Sequence, residues 1–490
     1  MQRLVAPSFR SRALSRSVSR LLIKSSRFYS NRALAICCLG DVVGPRYLHT
    51  ASVRRNEGGQ SIQTGSTSTG IDDEDTRKGY LLRVSLERLI QDLARQPVPT
   101  VTLNDLLRFR TTSQNGKNKE SILVENANDT LRDLFVLIGR SIKRFTDLPY
   151  IVLMNPHMAK IYQCYTDSLE LLLKFVDECK GGDSEVQAYS AFEDLSQFRI
   201  TTPEQNERFI AVLSQIFEMH TDNTLDLRDG FDEVDMRLVD DKEFLNMHMR
   251  ERILMRLLTD HHLLLNSQLE HVTDIKSLKS LGAIDMNLNV LEVLNHSYEY
   301  VNDMAAMKYA DRIELKVKSV LLKSDGTSRT QNIDEICEFA DFDPLIFPYI
   351  TNHLEYVFDE ILKNSTRASM DNNVTLPVEV LVVLREPTSP DDCYKLDVRI
   401  TDYAKGIKPE VVDHLFDYAF TTVDEPDTDY KVLNTTFANV IAGMGYGLPM
   451  SLTYTRLFNG DIFLKSIYGQ GTTVYLQWRG IDGRILSNSL

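Results

Sequence analysis

A change of hydrophobic period near residue 313 divides this 490-residue chain and fixes what each half can become. From about residue 79 to 310, apolar residues recur at three- and four-residue steps, the period of a helix with one buried face. Tyr80-Leu-Leu-Arg-Val-Ser-Leu-Glu-Arg-Leu-Ile has it, and so do 128–146, 156–177, 203–219, 241–266 and 289–310. The helix expected at 203 carries start signals: Thr202, then Pro203 in the first turn, with Glu204 and Glu207 near the positive end of the dipole. Long amphipathic helices in succession predict a bundle. At Ile313-Glu-Leu-Lys-Val-Lys-Ser-Val-Leu-Leu the pattern turns to alternation, which is that of a strand. A helix is expected over 347–370, and strands over 378–384 and 394–400, joined by the turn Pro387-Thr-Ser-Pro-Asp-Asp. Strands at 461–466 and 472–478 close the chain. The expected fold class is therefore α + α/β: an N-terminal helical, four-helix-type bundle followed by an α/β sandwich with helices on one face of a mixed sheet.

The composition narrows the function. A charged fraction of 25% and an apolar fraction of 43% are those of a globular chain with buried cores. A net charge of −14 argues against general nucleic-acid binding, which needs a basic footprint. No run of about 18 apolar residues occurs, so no membrane-spanning helix is expected. The six cysteines, at 37, 38, 164, 179, 337 and 393, have neither zinc spacing nor the density of a disulfide framework. Residues 1–40 differ from the rest: eight Arg or Lys, many Ser, no Asp or Glu, and Leu14, Val18, Leu21 and Leu22 able to share one helix face. That is the signature of a mitochondrial transit peptide, with Arg27-Phe-Tyr-Ser30 resembling a cleavage site. The expected organisation is transit peptide 1–29, linker 30–78, bundle 79–311, α/β domain 312–485 and tail 486–490.

Four short segments in the last third carry the chemistry. They are Glu360-Ile-Leu-Lys-Asn364, Asp402-Tyr-Ala-Lys-Gly406, Gly443-Met444-Gly445-Tyr446-Gly447-Leu448-Pro, and Gly471-Thr472. Glu360, Asn364 and Arg367 step along one helix face. The Asn364 amide oxygen suits Mg²⁺, and Lys363 and Arg367 suit phosphate charge. Asp402, at a strand end before a turn, can accept from an adenine amino group. The glycine run opens a helix and lets backbone N–H groups approach phosphate. Residues 416–447, Asp- and Thr-rich and beginning near Phe420-Thr421-Thr422, are long enough for a lid.

In this order the segments resemble the GHKL nucleotide-binding fold shared by histidine kinases, type II topoisomerases, MutL-type repair proteins, a heat-shock chaperone and the mitochondrial dehydrogenase kinases. Phe420-Thr-Thr, the glycine run and Gly471-Thr472-x-Val-Tyr-Leu resemble the last of these, the kinases of the α-keto acid dehydrogenase complexes. So do Leu148-Pro-Tyr-Ile-Val-Leu-Met-Asn-Pro156 and Arg252-Ile-Leu-Met-Arg256 with His261-His262 in the helical half. The ending Tyr475-Leu-Gln-Trp-Arg-Gly-Ile-Asp-Gly-Arg484 and Asp417-Tyr-x-Phe-Thr-Thr422 are closer to the branched-chain kinase. The resemblance spans roughly residues 79–485.

This likeness implies transfer of the ATP γ-phosphate to a serine of a dehydrogenase E1α subunit in the mitochondrial matrix, with inactivation of the complex. It implies Glu360 and Lys363 as catalytic residues and Mg²⁺ on Asn364. ATP would lie among Glu360, Asn364, Arg367, Asp402, Gly406, Thr421, Thr422, Gly443 to Leu448 and Thr472. Arg252 and Arg256, with Tyr165, resemble the family's pocket for small keto-acid or haloacid effectors. The implied partners are E1α, the lipoyl domain of the E2 core, and a second copy or a related kinase in a dimer. The chain stops soon after Trp478, without the extended tail many pyruvate-type kinases carry. Two departures stand out: Tyr356 replaces the His that pyruvate-type kinases place four residues before the Glu, as in the branched-chain kinase, and Ala404 replaces the first glycine of Asp-x-Gly-x-Gly.

Pyruvate dehydrogenase is the substrate expected, with branched-chain ketoacid dehydrogenase, or a catalytically weak nucleotide-binding scaffold, as alternatives. A sensor histidine kinase would carry an acid after its phospho-acceptor His, but His261-His262 is followed by three leucines; those two histidines are expected in bundle packing. Conformational ATPases of this fold place the nucleotide domain first, and here it is last.

Overall fold

The computed structural model describes residues 71–112, 119–181, 195, 197–221, 223–234, 241–270, 278–333, 343–418, 420 and 445–487. The expected transit peptide and residues 30–70 of the expected linker lie outside these. The linker reading needs one correction, because α1 (Ile71–Arg95) starts within it. Its first nine residues offer a single apolar side chain, Ile71, so no helical period is visible there.

The helical half is built from α1 with α2 (Lys119–Thr146), α3 (Pro156–Lys180), α4 (Pro203–Met219), α5 (Asn223–Glu233) and α6 (Asp241–Glu270). Helices α2, α3, α4 and α6 form the four-helix core, with α1 laid on α2 and α5 on α3. Local signals fix the ends. Asn155 caps α3 by accepting from His157 N and Met158 N, and Pro156 occupies its first turn. Thr202 and Gln205 close a capping box on α4. Leu134, Ile138, Ile161, Leu169, Phe209, Leu213 and Met249 are fully buried between the helices, each contributing about 1.5–3 kcal/mol on transfer from water. The core is not wholly apolar. His262 bridges Asn126 at 2.9 Å and Asn206 at 3.1 Å, and Asn266 joins them, so this buried polar set is mutually satisfied. His261 Nδ1 accepts from the backbone N–H of Ala283 at 3.2 Å. Both histidines are packing residues, as expected.

Helix α7 (Val290–Tyr309) lies elsewhere than the sequence reading put it. Its buried Val290, Leu291, Leu294 and Val301 belong to the core of the second half, and it packs along α8 (Thr351–Asp371). Periodicity reveals an apolar face but not the surface that covers it.

The second half is a six-stranded mixed sheet with α8 and α9 (Gly447–Arg456) on one face. Its strands are β1 (Leu315–Leu322), β2 (Ser328–Ile333), β3 (Val378–Arg385), β4 (Cys393–Asp402), β5 (Asp461–Ile467) and β6 (Gly471–Asp482). The order is β2-β1-β3-β4-β6-β5, with β1 and β3 parallel and every other pair antiparallel. In β3, Val378, Val380, Val382 and Leu384 alternate into the core. Strand β2 is polar at almost every position, which is why alternation does not reveal it; it lies at the sheet edge and is held by β1. The β4–β6 register sets Asp402 opposite Thr472. Tyr356, Tyr454 and Leu457 pack against the cores of both halves. No described helix is long and apolar enough to cross a membrane.

Candidate active site

Glu360 comes from the middle of α8 and is 4% exposed. Its neighbours Val357, Phe358, Ile361 and Leu362 anchor the helix in the core. Lys363 Nζ donates to Glu360 Oε1 one turn on. Burial raises the Glu360 carboxyl above its ordinary value, and Lys363 opposes the rise. The start of α9 comes so close that a Cβ on Gly447 would lie 2.2 Å from Glu360 Oε2. Only a glycine leaves room for the carboxylate there. No described side chain caps the N-terminus of α9, so its first N–H groups can face an anion.

Asn364, one turn beyond Glu360, is exposed, and Arg367 is half-buried with Nε 3.3 Å from Asp371 Oδ2. Glu360, Asn364 and Arg367 thus run outward from the core along α8. Among the described residues no three His, Cys, Asp or Glu side chains converge to hold a metal. A divalent ion at Asn364 would complete its oxygen shell from phosphate and water.

Asp402 forms the other end of the site. Its Oδ1 accepts from Ala404 N at 3.1 Å and Thr472 N at 3.3 Å, leaving Oδ2 for a ligand donor. Burial raises its carboxyl and those two N–H groups hold it back. Thr472, expected beside phosphate or lid, is tied to Asp402 and to Ser466, whose Oγ is 2.9 Å from its own. Ala404 is not among the described residues with positive φ, so its Cβ is unstrained; the turn's left-handed residue is Gly406, at φ +68°. The missing glycine therefore leaves the turn intact. Gly445, Tyr446 and Leu448 flank Gly447 as expected. Thr421, Thr422, Gly443 and Met444, with most of the expected lid, lie outside the described residues.

Three residues beside Glu360 have surroundings that the sequence does not reveal. Asp359, partly buried between α7 and α8 near Ser297, has a carboxyl that burial pushes up to about 7. Tyr356 lies against Tyr454 of α9, ring centroids 4.9 Å apart, and His353 is 4.7 Å from the same Tyr454. Burial pushes His353 down to about 3, so it stays neutral. The motifs mark Tyr356 but not these contacts, since each environment comes from neighbours distant in sequence.

Within the bundle, Arg252 is buried with Nη2 donating to His220 O at 2.8 Å and Nη1 making no well-formed hydrogen bond. Tyr165 is fully buried, its hydroxyl turned toward Arg252 and Ser141 without a well-formed hydrogen bond among the described residues, and its ring is 4.6 Å from His220 and 5.6 Å from His248. Burial pushes His220 down to about 3 and His248 well below its ordinary value. Arg252 and Tyr165 are brought together; Arg256 instead stacks over Phe217 at 4.7 Å.

Comparison with known proteins matches the two halves of the chain separately. Residues 100–285 match the family described as mitochondrial branched-chain alpha-ketoacid dehydrogenase kinase. Residues 350–480 match the histidine kinase-, DNA gyrase B- and HSP90-like ATPases. The chain is 28% identical over 409 residues to [pyruvate dehydrogenase (acetyl-transferring)] kinase 1, mitochondrial, of Saccharomyces cerevisiae, covering 82% of this chain and 89% of the relative. It is 26% identical over 351 residues to isozyme 1 of the same kinase from Homo sapiens, covering 72% of each.

Proposed function

Because this chain belongs to the family of the pyruvate dehydrogenase and branched-chain ketoacid dehydrogenase kinases, on the GHKL ATPase fold, we propose that it is a protein serine kinase of the mitochondrial matrix. Its substrate on this reading is the E1α subunit of pyruvate dehydrogenase, which it inactivates. The observation that carries the reading is Glu360, buried, ion-paired to Lys363 and pressed against the uncapped start of α9.

Phosphoryl transfer asks for positioning and charge neutralisation more than covalent chemistry. Asp402 Oδ2 would accept from the adenine amino group, with Gly406 giving the turn beneath it. The N–H groups opening α9 at Gly447 and Leu448 would meet phosphate oxygens. Arg367 would add charge, and Thr421, Thr422, Gly443 and Met444 would complete the phosphate cover. Mg²⁺, held by Asn364, would supply charge neutralisation on the phosphates. Glu360 would take the proton of the attacking serine hydroxyl as its oxygen bonds to the γ-phosphorus and the β–γ bridging bond breaks, releasing ADP. Burial raises the Glu360 carboxyl, and Lys363 favours its ionised form against that rise. Binding to an E2 lipoyl domain, and dimerisation with a second copy or a related kinase, follow from the family. The Arg252–Tyr165 cluster would hold a small carboxylate effector, with Arg256 at its margin.

Branched-chain E1α is the second reading, favoured by the 475–484 ending and by the family matched over the bundle. Incubation with γ-labelled Mg·ATP and each purified complex in parallel decides between them. Acid-stable label on serine of one E1α, with loss of that complex's activity, is the expected result. Glu360→Gln should lose about 10²–10⁴-fold in kcat while still binding nucleotide; full activity in that variant would remove the base assigned here. Label on neither E1α, with ATP bound, would leave a nucleotide-binding scaffold.

A further inference from the structure

Helix α9 touches both α8 and the bundle. One of its faces, at Gly447, lies against Glu360 Oε2. The other carries Tyr446, Met450, Tyr454 and Leu457, spaced at four, four and three residues, and this stripe packs into the core of the bundle. A short helix from the nucleotide domain is thus keyed into the regulatory half. It packs on α6, the helix bearing Arg252 and Arg256, and both arginines act electrostatically on the Tyr454 phenol. On its far side the Tyr454 ring lies 4.9 Å from Tyr356 and 4.7 Å from His353, one and two turns before Glu360 on α8.

We propose that Tyr454 is a positioning residue through which occupancy of the Arg252–Tyr165 cluster by a small carboxylate moves α9 and resets Glu360. The inference rests on the effector reading given above for that cluster. The physical basis is local. Among the described residues Arg252 Nη1 and the Tyr165 hydroxyl are buried and face each other with no well-formed hydrogen bond, so a carboxylate arriving there has two donors to recruit. Drawing the guanidinium toward it shifts α6, on which α9 and its Tyr454 pack. Tyr454 is wedged between Tyr356 and the bundle, and a close-packed contact transmits a shift rather than absorbing it. Because the same helix begins against Glu360 Oε2, a displacement too small to unseat the helix still changes the room left for that carboxylate. The two sites then bias one shared element, which is what a coupling between them requires.

The test uses the full chain, pyruvate as the probe, and two readouts: pyruvate binding by calorimetry, and the ratio of kcat for E1α phosphorylation with and without saturating pyruvate. In the wild type, pyruvate binds and changes kcat by at least about fivefold. In Tyr454→Phe, which keeps the ring, both are retained. In Tyr454→Ala binding stays within about twofold of wild type while the kcat response disappears. The binding readout reports whether that variant is folded; if it is not, Tyr454→Leu keeps the bulk and removes the ring contact to Tyr356, and the same loss of response is expected. An undiminished response in a folded variant lacking the ring overturns the coupling and leaves the pocket standing. Absence of pyruvate binding to the wild type overturns the pocket reading, and the proposal with it.

Discussion

Asp359 shows how one buried carboxyl can make stability depend on pH next to the base proposed for transfer. Burial raises it from 3.8 to about 7. The native state therefore holds its proton more tightly than the unfolded chain between those values. Its stabilising protonated form is complete below pH 3.8, and stability is lost as pH rises through that window toward 7. Asp359→Asn has no such loss. Its melting temperature relative to wild type should climb between pH 4 and 7 and level off above; a difference that is flat with pH would mean the carboxyl ionises normally in the fold. Nothing in the sequence distinguishes Asp359 from any other helical acid, because its desolvation comes from α7, more than fifty residues earlier. Ala404 is the reverse case. The departure from the glycine pattern is visible in the sequence, but only the backbone φ shows that it is harmless.

At the level of elements, the meeting of α8 and α9 is the tightest constraint in the site. A Cβ on Gly447 would stand 2.2 Å from Glu360 Oε2, so Gly447→Ala must push the carboxylate or the helix aside. We expect kcat to fall by about a hundredfold, with a smaller change in stability, measured by E1α phosphorylation at saturating ATP beside a thermal melt. Unaltered kcat would show that Glu360 does not need its place against α9. The existence of both helices was legible, from apolar spacing in one and a glycine run followed by Leu448-Pro449 in the other. Their contact was not, since nothing in either segment encodes a partner some ninety residues away. The same limit explains α7, whose face was legible but whose partner was not, and β2, a polar edge strand with no alternation to read.

Across the whole molecule, buried neutral histidines lie in both halves. His220 and His262 in the bundle and His353 in the nucleotide domain are pushed by burial down to about 3, and His261 to about 4. The unfolded chain protonates near 6.5 while the folded chain does not. Stability is therefore lost as pH falls below 6.5, by up to about 1.4 kcal/mol per pH unit for each histidine. Denaturant midpoints measured from neutral pH down to about 5 should drop steadily. A midpoint that held across that range would show the rings reach solvent. The two-part division of the chain, its bundle and its nucleotide domain were readable from hydrophobic period and from four ordered motifs. The buried polar groups that give the assembly its pH response were not, because titration is set by tertiary surroundings.

One indole completes the picture. Trp478 is the chain's only tryptophan. It is buried on β6 with its ring edge-on to Phe358, centroids 5.7 Å apart, two residues before Glu360 on α8. Excited selectively, the protein therefore emits from a single fluorophore seated directly beneath the helix that bears Glu360. Movements of that helix, whether drawn by nucleotide on its outer face or by α9 at its side, can be followed optically in the unlabelled chain, with no second emitter to subtract.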